Sequence, residues 1–177
     1  METKFKFMKI RPFALVLLMF LSLNGFAQKE RLQTAFIYQL TRLIEWCPEG
    51  KQGNFVIGVL GNDPALVTEL NALQSRRVGT QQIEVKTFAT VADVSQCNIL
   101  FVPDNQFGNI NAVNAKVKGF CTLILSDRVG SANQGAGVSI VFNEAHSKLE
   151  FEIHRNFMQR NSFSVNDQLY SLATKVY

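Results

Sequence analysis

The chain has 177 residues, 47% hydrophobic and 18% charged, with a formal net charge of +4. No low-complexity tract and no repeat of solenoid length is visible, which excludes disordered and repeat architectures. Residues 1–27 hold Lys4, Lys6, Lys9 and Arg11 against Glu2. Taking them from the 18 basic and 14 acidic residues leaves 14 and 13, a net of +1, so no basic stripe remains to neutralise phosphates and nucleic-acid binding is unsupported.

The first 27 residues read as an address. The four cations form a positive n-region. Phe13 to Leu23 is apolar except for Ser22, and Gly25 and Ala27 are small residues where a signal peptidase reads. Cleavage is expected after Ala27, whether the chain starts at Met1 or at Met8, leaving one exported domain over 28–177. The competing reading is a retained anchor, for which the apolar run is short. Export would expose Cys47, Cys97 and Cys121 to an oxidising compartment. Three cysteines allow one internal bridge. Cys97 lies just before one buried strand and Cys121 near the start of the next, at one end of the sheet if those strands are neighbours, so they are the expected pair. The alternative is that all three are small buried hydrophobes.

Lys29 to Trp46 has helical spacing of Leu32, Ala35, Phe36, Leu40, Leu43 and Ile44, and Pro48 ends it. Ile37 and Tyr38 lie off this stripe, either as a partner surface with Trp46 or as core from a second contact. Phe55 to Leu60 is a short apolar run closed by Gly61, Asn62, Asp63 and Pro64. That is a strand buried on both faces, a turn, and a helix start capped by Asp63 with Pro64 at its first position. The helix runs to Gln74 with Leu66, Leu70 and Leu73 inward. Ile83 to Phe88 alternates, as an exposed edge strand does. Asn98 to Asp104 and Phe120 to Asp127 repeat the buried-strand pattern, with a helix from Gly108 to Val117 between them. Gly137 to Phe142 and Lys148 to Ile153 read as a hairpin, and a last helix carries Leu169, Leu172, Ala173 and Val176. The fold class is α/β: a three-layer sandwich with a mostly parallel central sheet and an antiparallel C-terminal hairpin.

Ligands of such sheets sit beyond the carboxyl ends of the strands. That edge carries Asn62, Asp63, Asp104, Asn105, Ser126 and Asp127. They make either a pocket for a small molecule or a hard cation, or a set of caps for the following helices and turns. Gly58 and Gly61 lack the third glycine of a dinucleotide fingerprint, and no P-loop lysine follows. Glu150, Glu152 and His154 alternate along one strand face and, with His146, make either a metal site or a solvated outer face. No nucleophile elbow and no Ser/His/Asp set can be assembled, so no catalytic residue, cofactor or metal is expected.

Several phrases resemble the exported YfiR/HmsC-type proteins. Ile44-Glu45-Trp46-Cys47-Pro48 is similar to their "IEWP". Cys97 to Val102 resembles "CHILFI", Leu123 to Asp127 "TLSD", Phe151 to His154 "FEIN", and Leu169 to Ala173 "LLKLA". Cys47 interrupts the first phrase, and Arg155 to Phe163 shares little with the family's "LDAARRAGL". The resemblance implies a non-enzymatic periplasmic regulator. Such proteins bind the periplasmic part of an inner-membrane signalling protein, a diguanylate cyclase or a sensor kinase, and restrain it. Output is then cyclic-di-GMP, exopolysaccharide and biofilm, with disulfide state affecting the repressor's folding. Expected contact residues are Ile37, Tyr38 and Trp46, with Arg155, Phe157 and Phe163 of the divergent segment; a homodimer is the other expected assembly. The competing function is a solute- or cation-binding module with its pocket at the strand ends.

Overall fold

A computed structural model describes residues 24–177. The expected leader therefore lies almost wholly outside the described residues. Helix α1 (Asn24–Leu43) leads into a two-residue strand β1 (Ile44–Glu45). Strand β2 (Phe55–Leu60) is followed by α2 (Pro64–Asn71), then β3 (Arg77–Val78) and β4 (Gln81–Phe88). Next come β5 (Ile99–Phe101), α3 (Ile110–Lys116), β6 (Leu123–Ser126) and the hairpin β7 (Val138–Asn143) and β8 (Lys148–Ile153). The chain closes with α4 (Arg155–Arg160), β9 (Ser164–Val165), α5 (Asp167–Leu172) and β10 (Lys175–Val176).

The main sheet has the order β10-β8-β7-β6-β5-β2-β4-β3. Its five central strands, from β4 to β7, are parallel. In chain order they run 2-1-3-4-5, the doubly wound arrangement with a switch point between β2 and β5. The direction of winding reverses there, so right-handed crossovers put α2 and α3 on opposite faces. The expected three-layer α/β class is the one observed. β2, β5 and β6 are buried along their full length, as their unbroken apolar runs require. Their side chains, Phe55, Ile57, Leu60, Leu100, Phe101 and Leu123 among them, form the centre of the core. Each contributes about 1.5–3 kcal/mol by leaving water.

Three readings need correction. The buried stripe of α1 is rotated from the expected one. Gln33, Thr34, Ile37, Leu40, Thr41 and Ile44 face inward, whereas Ala35 and Leu43 are exposed. Polar residues share the inner face, so hydrophobicity alone misplaced it. The helix also stops at Leu43 rather than Trp46, because Ile44 and Glu45 pair antiparallel with Val165 and Ser164. Val176 belongs to β10, parallel to β8, and not to the last helix.

Candidate functional site

At the carboxyl edge every expected acid already has a partner. Asp63 accepts from the Leu66 N–H at 3.1 Å and caps α2. Asp127 accepts from the Lys29 ammonium at 2.9 Å and from the Asp104 N–H at 2.8 Å. Arg128 donates to Asp104 at 3.1 Å and lies over the Phe107 ring. Ser126 is fully buried, and its hydroxyl accepts from the Arg128 N–H. Gly61 has φ +78°, and a Cβ there would stand 2.9 Å from Gln106, whose side chain covers the turn at the switch point. Asn62 and Asn105 are exposed. What remains open is a shallow depression of about 380 Å³ lined by Asp104, Asp127, Arg128 and Val129. Burial disfavours the charge on Lys29. The hydrogen bond and charge of Asp127, with Glu30 and Asp63, outweigh it and hold the pKa above the ordinary lysine value.

The amino edge is organised differently. The disulfide joins Cys47 to Cys121, with Cα atoms 6.2 Å apart, and Cys97 is a buried free thiol. The expected Cys97–Cys121 pair is thus corrected. Cys97 and Cys121 do precede paired strands, since Ile99 is in register with Leu123. The chain after α1 nevertheless folds back over the strand starts and brings Cys47 to Cys121. Trp46 anchors that fold. Its indole N–H donates to the Thr41 carbonyl, and its ring meets Phe55 and Phe163 edge-on at 4.9 and 5.4 Å.

Two amides clamp the loop that follows. Asn98 accepts from the Val56 N–H at 2.9 Å and donates to the Gly50 carbonyl at 2.6 Å. The Gln81 amide nitrogen reaches the carbonyls of Gly50, Gln52 and Gly53 at 3.2–3.3 Å. Gly50 packs so closely that a Cβ would stand 2.9 Å from the Cys121 sulfur. Beside the clamp lies a cavity of about 530 Å³, with Glu49, Glu84, Lys86, Gln96, Cys97 and Cys121 among its walls. Burial pushes the Cys97 thiol up to about 12, partly opposed by Thr122 and Lys86. This cavity went unforeseen, because only the tertiary path of the loop creates it.

The expected contact residues separate into core and surface. Ile37, Trp46, Phe157 and Phe163 are buried and cannot serve as contacts in this conformation. Tyr38 is half-buried and packs on the core, and Arg155 is exposed. His154 caps α4 by accepting from the Phe157 N–H through Nδ1. Glu152 accepts from the Gly130 N–H, and Glu150 bonds Asn143 and Lys148. His146 contacts Asn143. These side chains do not converge, and no group of three metal-ligating residues occurs among the described residues. No helix among them is long and apolar enough to cross a membrane.

The strand order defines a doubly wound α/β domain. The family model of the YfiR/HmsC-like proteins, DUF4154, matches residues 30–174, and the chain belongs to that family. A periplasmic regulatory role is what the family suggests, and the disulfide fits an oxidising compartment. A search of curated proteins returns no match. Among solved structures, the chain is similar to a conserved domain protein from Vibrio cholerae O1 biovar El Tor, at 12% identity and TM-score 0.55, over 81% of this chain and 60% of that one. It is also similar to an ABC domain from Streptococcus pneumonia solved in complex with L-Trp, at 12% identity and TM-score 0.57, over 84% of this chain and 60% of that one. At such identity these two share the fold alone, and this chain spans about 60% of their length.

Proposed function

We propose that the chain is exported by a leader ending at Ala27 and acts, as a domain over 28–177, by binding the periplasmic part of an inner-membrane signalling protein. The target class is a diguanylate cyclase or a sensor kinase, and the effect is restraint. The observation that carries this reading is family membership over nearly the whole predicted mature chain. The carboxyl edge supports it, since ion pairs and a glutamine leave only a shallow depression where doubly wound proteins hold substrates. The mechanism is population shift: the domain binds the inactive conformation of its target better than the active one.

The test is recovery of membrane proteins on the immobilised chain. An inner-membrane protein with a cyclase or kinase output domain should be retained and its output lowered. Recovery of none, with correctly oxidised protein, would sink the proposal.

A second reading has one observation in its favour, the 530 Å³ cavity at the amino edge. Its size suits a small polar solute. Thermal-shift screening separates the two readings: a stabiliser whose effect vanishes in Lys86→Ala would favour solute binding.

A further inference from the structure

We propose that His154 is an acid-sensitive joint: its neutral imidazole fastens the start of α4 to the end of β8, and protonation releases that fastening. The inference holds for either reading above, because it concerns the fold's own response to pH. A main-chain N–H can only donate, so the bond from Phe157 at 3.2 Å requires a lone pair on Nδ1. The proton of the neutral ring then sits on Nε2. A second proton would occupy Nδ1, remove the acceptor and set two N–H groups against each other. It would also put a cation at a helix start, where the peptide dipoles oppose it. Histidine is the side chain whose ordinary charge change falls between about pH 5 and 8, so mild acid suffices.

The cap matters because of what it positions. The Phe157 ring is buried, and a Cβ on Gly137 would stand 2.7 Å from it. Holding the Phe157 N–H therefore fixes the turn that seats the ring. The main-chain N–H groups of His154 and Arg155 are already committed, to the carbonyls of Gly137 at 3.0 Å and Tyr177 at 2.9 Å. At its other end α4 is held by the Asn161 amide, which donates to the Phe157 carbonyl at 2.8 Å and does not titrate. Only the entry to the helix depends on pH. The charged and titratable neighbours are Glu152 on β8, Arg155 on α4, and Lys175 and Tyr177 at the last strand. Glu152 accepts from the Gly130 N–H at 3.0 Å and from the Tyr177 hydroxyl at 3.5 Å. Arg155 lies on the Tyr170 ring of α5, with Asp167 in the groove beside it. Lys175 sits 4.6 Å over the Tyr177 ring, which is 6.3 Å from the imidazole. Among the described residues no carboxylate comes within ion-pair distance of His154, so an imidazolium gains no partner in exchange for the lost cap.

The experiment is amide hydrogen exchange of the full chain, followed by NMR at about pH 8 and about pH 5, the two sides of the histidine range, and corrected for intrinsic rates. On acidification the Phe157 and Met158 amides of wild type should lose roughly fivefold protection, the scale of a lost cap, while those of β7 and β8 hold theirs. His154→Asn supplies a cap oxygen that does not titrate, so its α4 amides should stay protected at both pH values. His154→Ala should be poorly protected at both, and His154→Asn keeps the test open if the alanine variant does not fold. His146→Asn, at the hairpin tip, should respond to acid as wild type does. The imidazole nitrogen shifts of His154 should place its proton on Nε2 alone at the higher pH. A proton on Nδ1 there, equal protection of wild-type α4 at both pH values, or an acid response that survives in His154→Asn would overturn the proposal.

Discussion

The two ends of the sheet are closed by different chemistry. The carboxyl edge is held by charge, Lys29 on Asp127 and Arg128 on Asp104. The amino edge is held by a covalent bond and two buried amides. Ion pairs at a half-exposed edge are weak and screened by salt. A disulfide and desolvated amides are neither. The amino edge should therefore carry more of the stability, although the fold's precedent for binding lies at the other end. It also borders the larger cavity, so rigidity and space occur together there.

Breaking the covalent side should show the largest effect. The Cys47–Cys121 bridge closes a separation of 74 residues. Loop-closure entropy assigns such a loop about 4 kcal/mol. Reduction, or the double variant Cys47→Ala/Cys121→Ala, should lower the melting temperature by roughly 10 °C. A melt insensitive to reductant would show that the amides suffice alone.

Cys97 sharpens the same side. A thiol pushed from 9.0 to about 12 presents about a thousandfold fewer thiolates at pH 8. Native protein should resist iodoacetamide at Cys97 until denaturant is added. Rapid labelling of the folded chain, located by peptide mass, would mean that the cavity admits solvent to the sulfur.

Asn98→Ala comes next. It strands the Val56 N–H and leaves the Gly50 carbonyl to the longer bond from Gln81 alone. A loss of about 2 kcal/mol in denaturant unfolding is expected, with the disulfide still formed.

Why was one edge readable and the other not? At the carboxyl edge the Asp63 turn is local. A buried strand ending in Asp and Pro announces its own turn and cap, and Asp63 fills that role. Lys29 on Asp127 and Arg128 on Asp104 are long-range pairs, whereas the Asp63 cap was legible because it concerns its own neighbours. β2, β5, β6 and the β7–β8 hairpin were legible for the same reason. The amino edge is nonlocal. Nothing in Trp46-Cys47-Pro48 states that this segment crosses the strand starts to reach Cys121. Two-residue strands such as β1, β9 and β10 have no period to detect. Ile37 looked displaced from the helical stripe because Gln33, Thr34 and Thr41 share its buried face. Arg155 was singled out for divergence, while its neighbours Phe157 and Phe163 proved to be core.

The smallest expected effect tests the ionic side. Asp127→Asn removes the Lys29 partner, a pair whose side chains are 36% and 14% exposed. Partial exposure limits the loss to about 0.5–1 kcal/mol at low salt, shrinking as salt is added. The pH response has a definite sign. Lys29 titrates above 10.5 in the folded chain, so its contribution is complete below the unfolded pKa. It disappears as pH rises through the folded value, on the alkaline side of 10.5. Wild type should thus lose its advantage over Asp127→Asn only in strong alkali, measured by urea unfolding at stepped pH. An advantage that vanished near neutrality would mean that Lys29 does not hold its proton through Asp127. An advantage unmoved by salt would place the pair deeper than its exposure allows, and the contrast between the two edges would narrow.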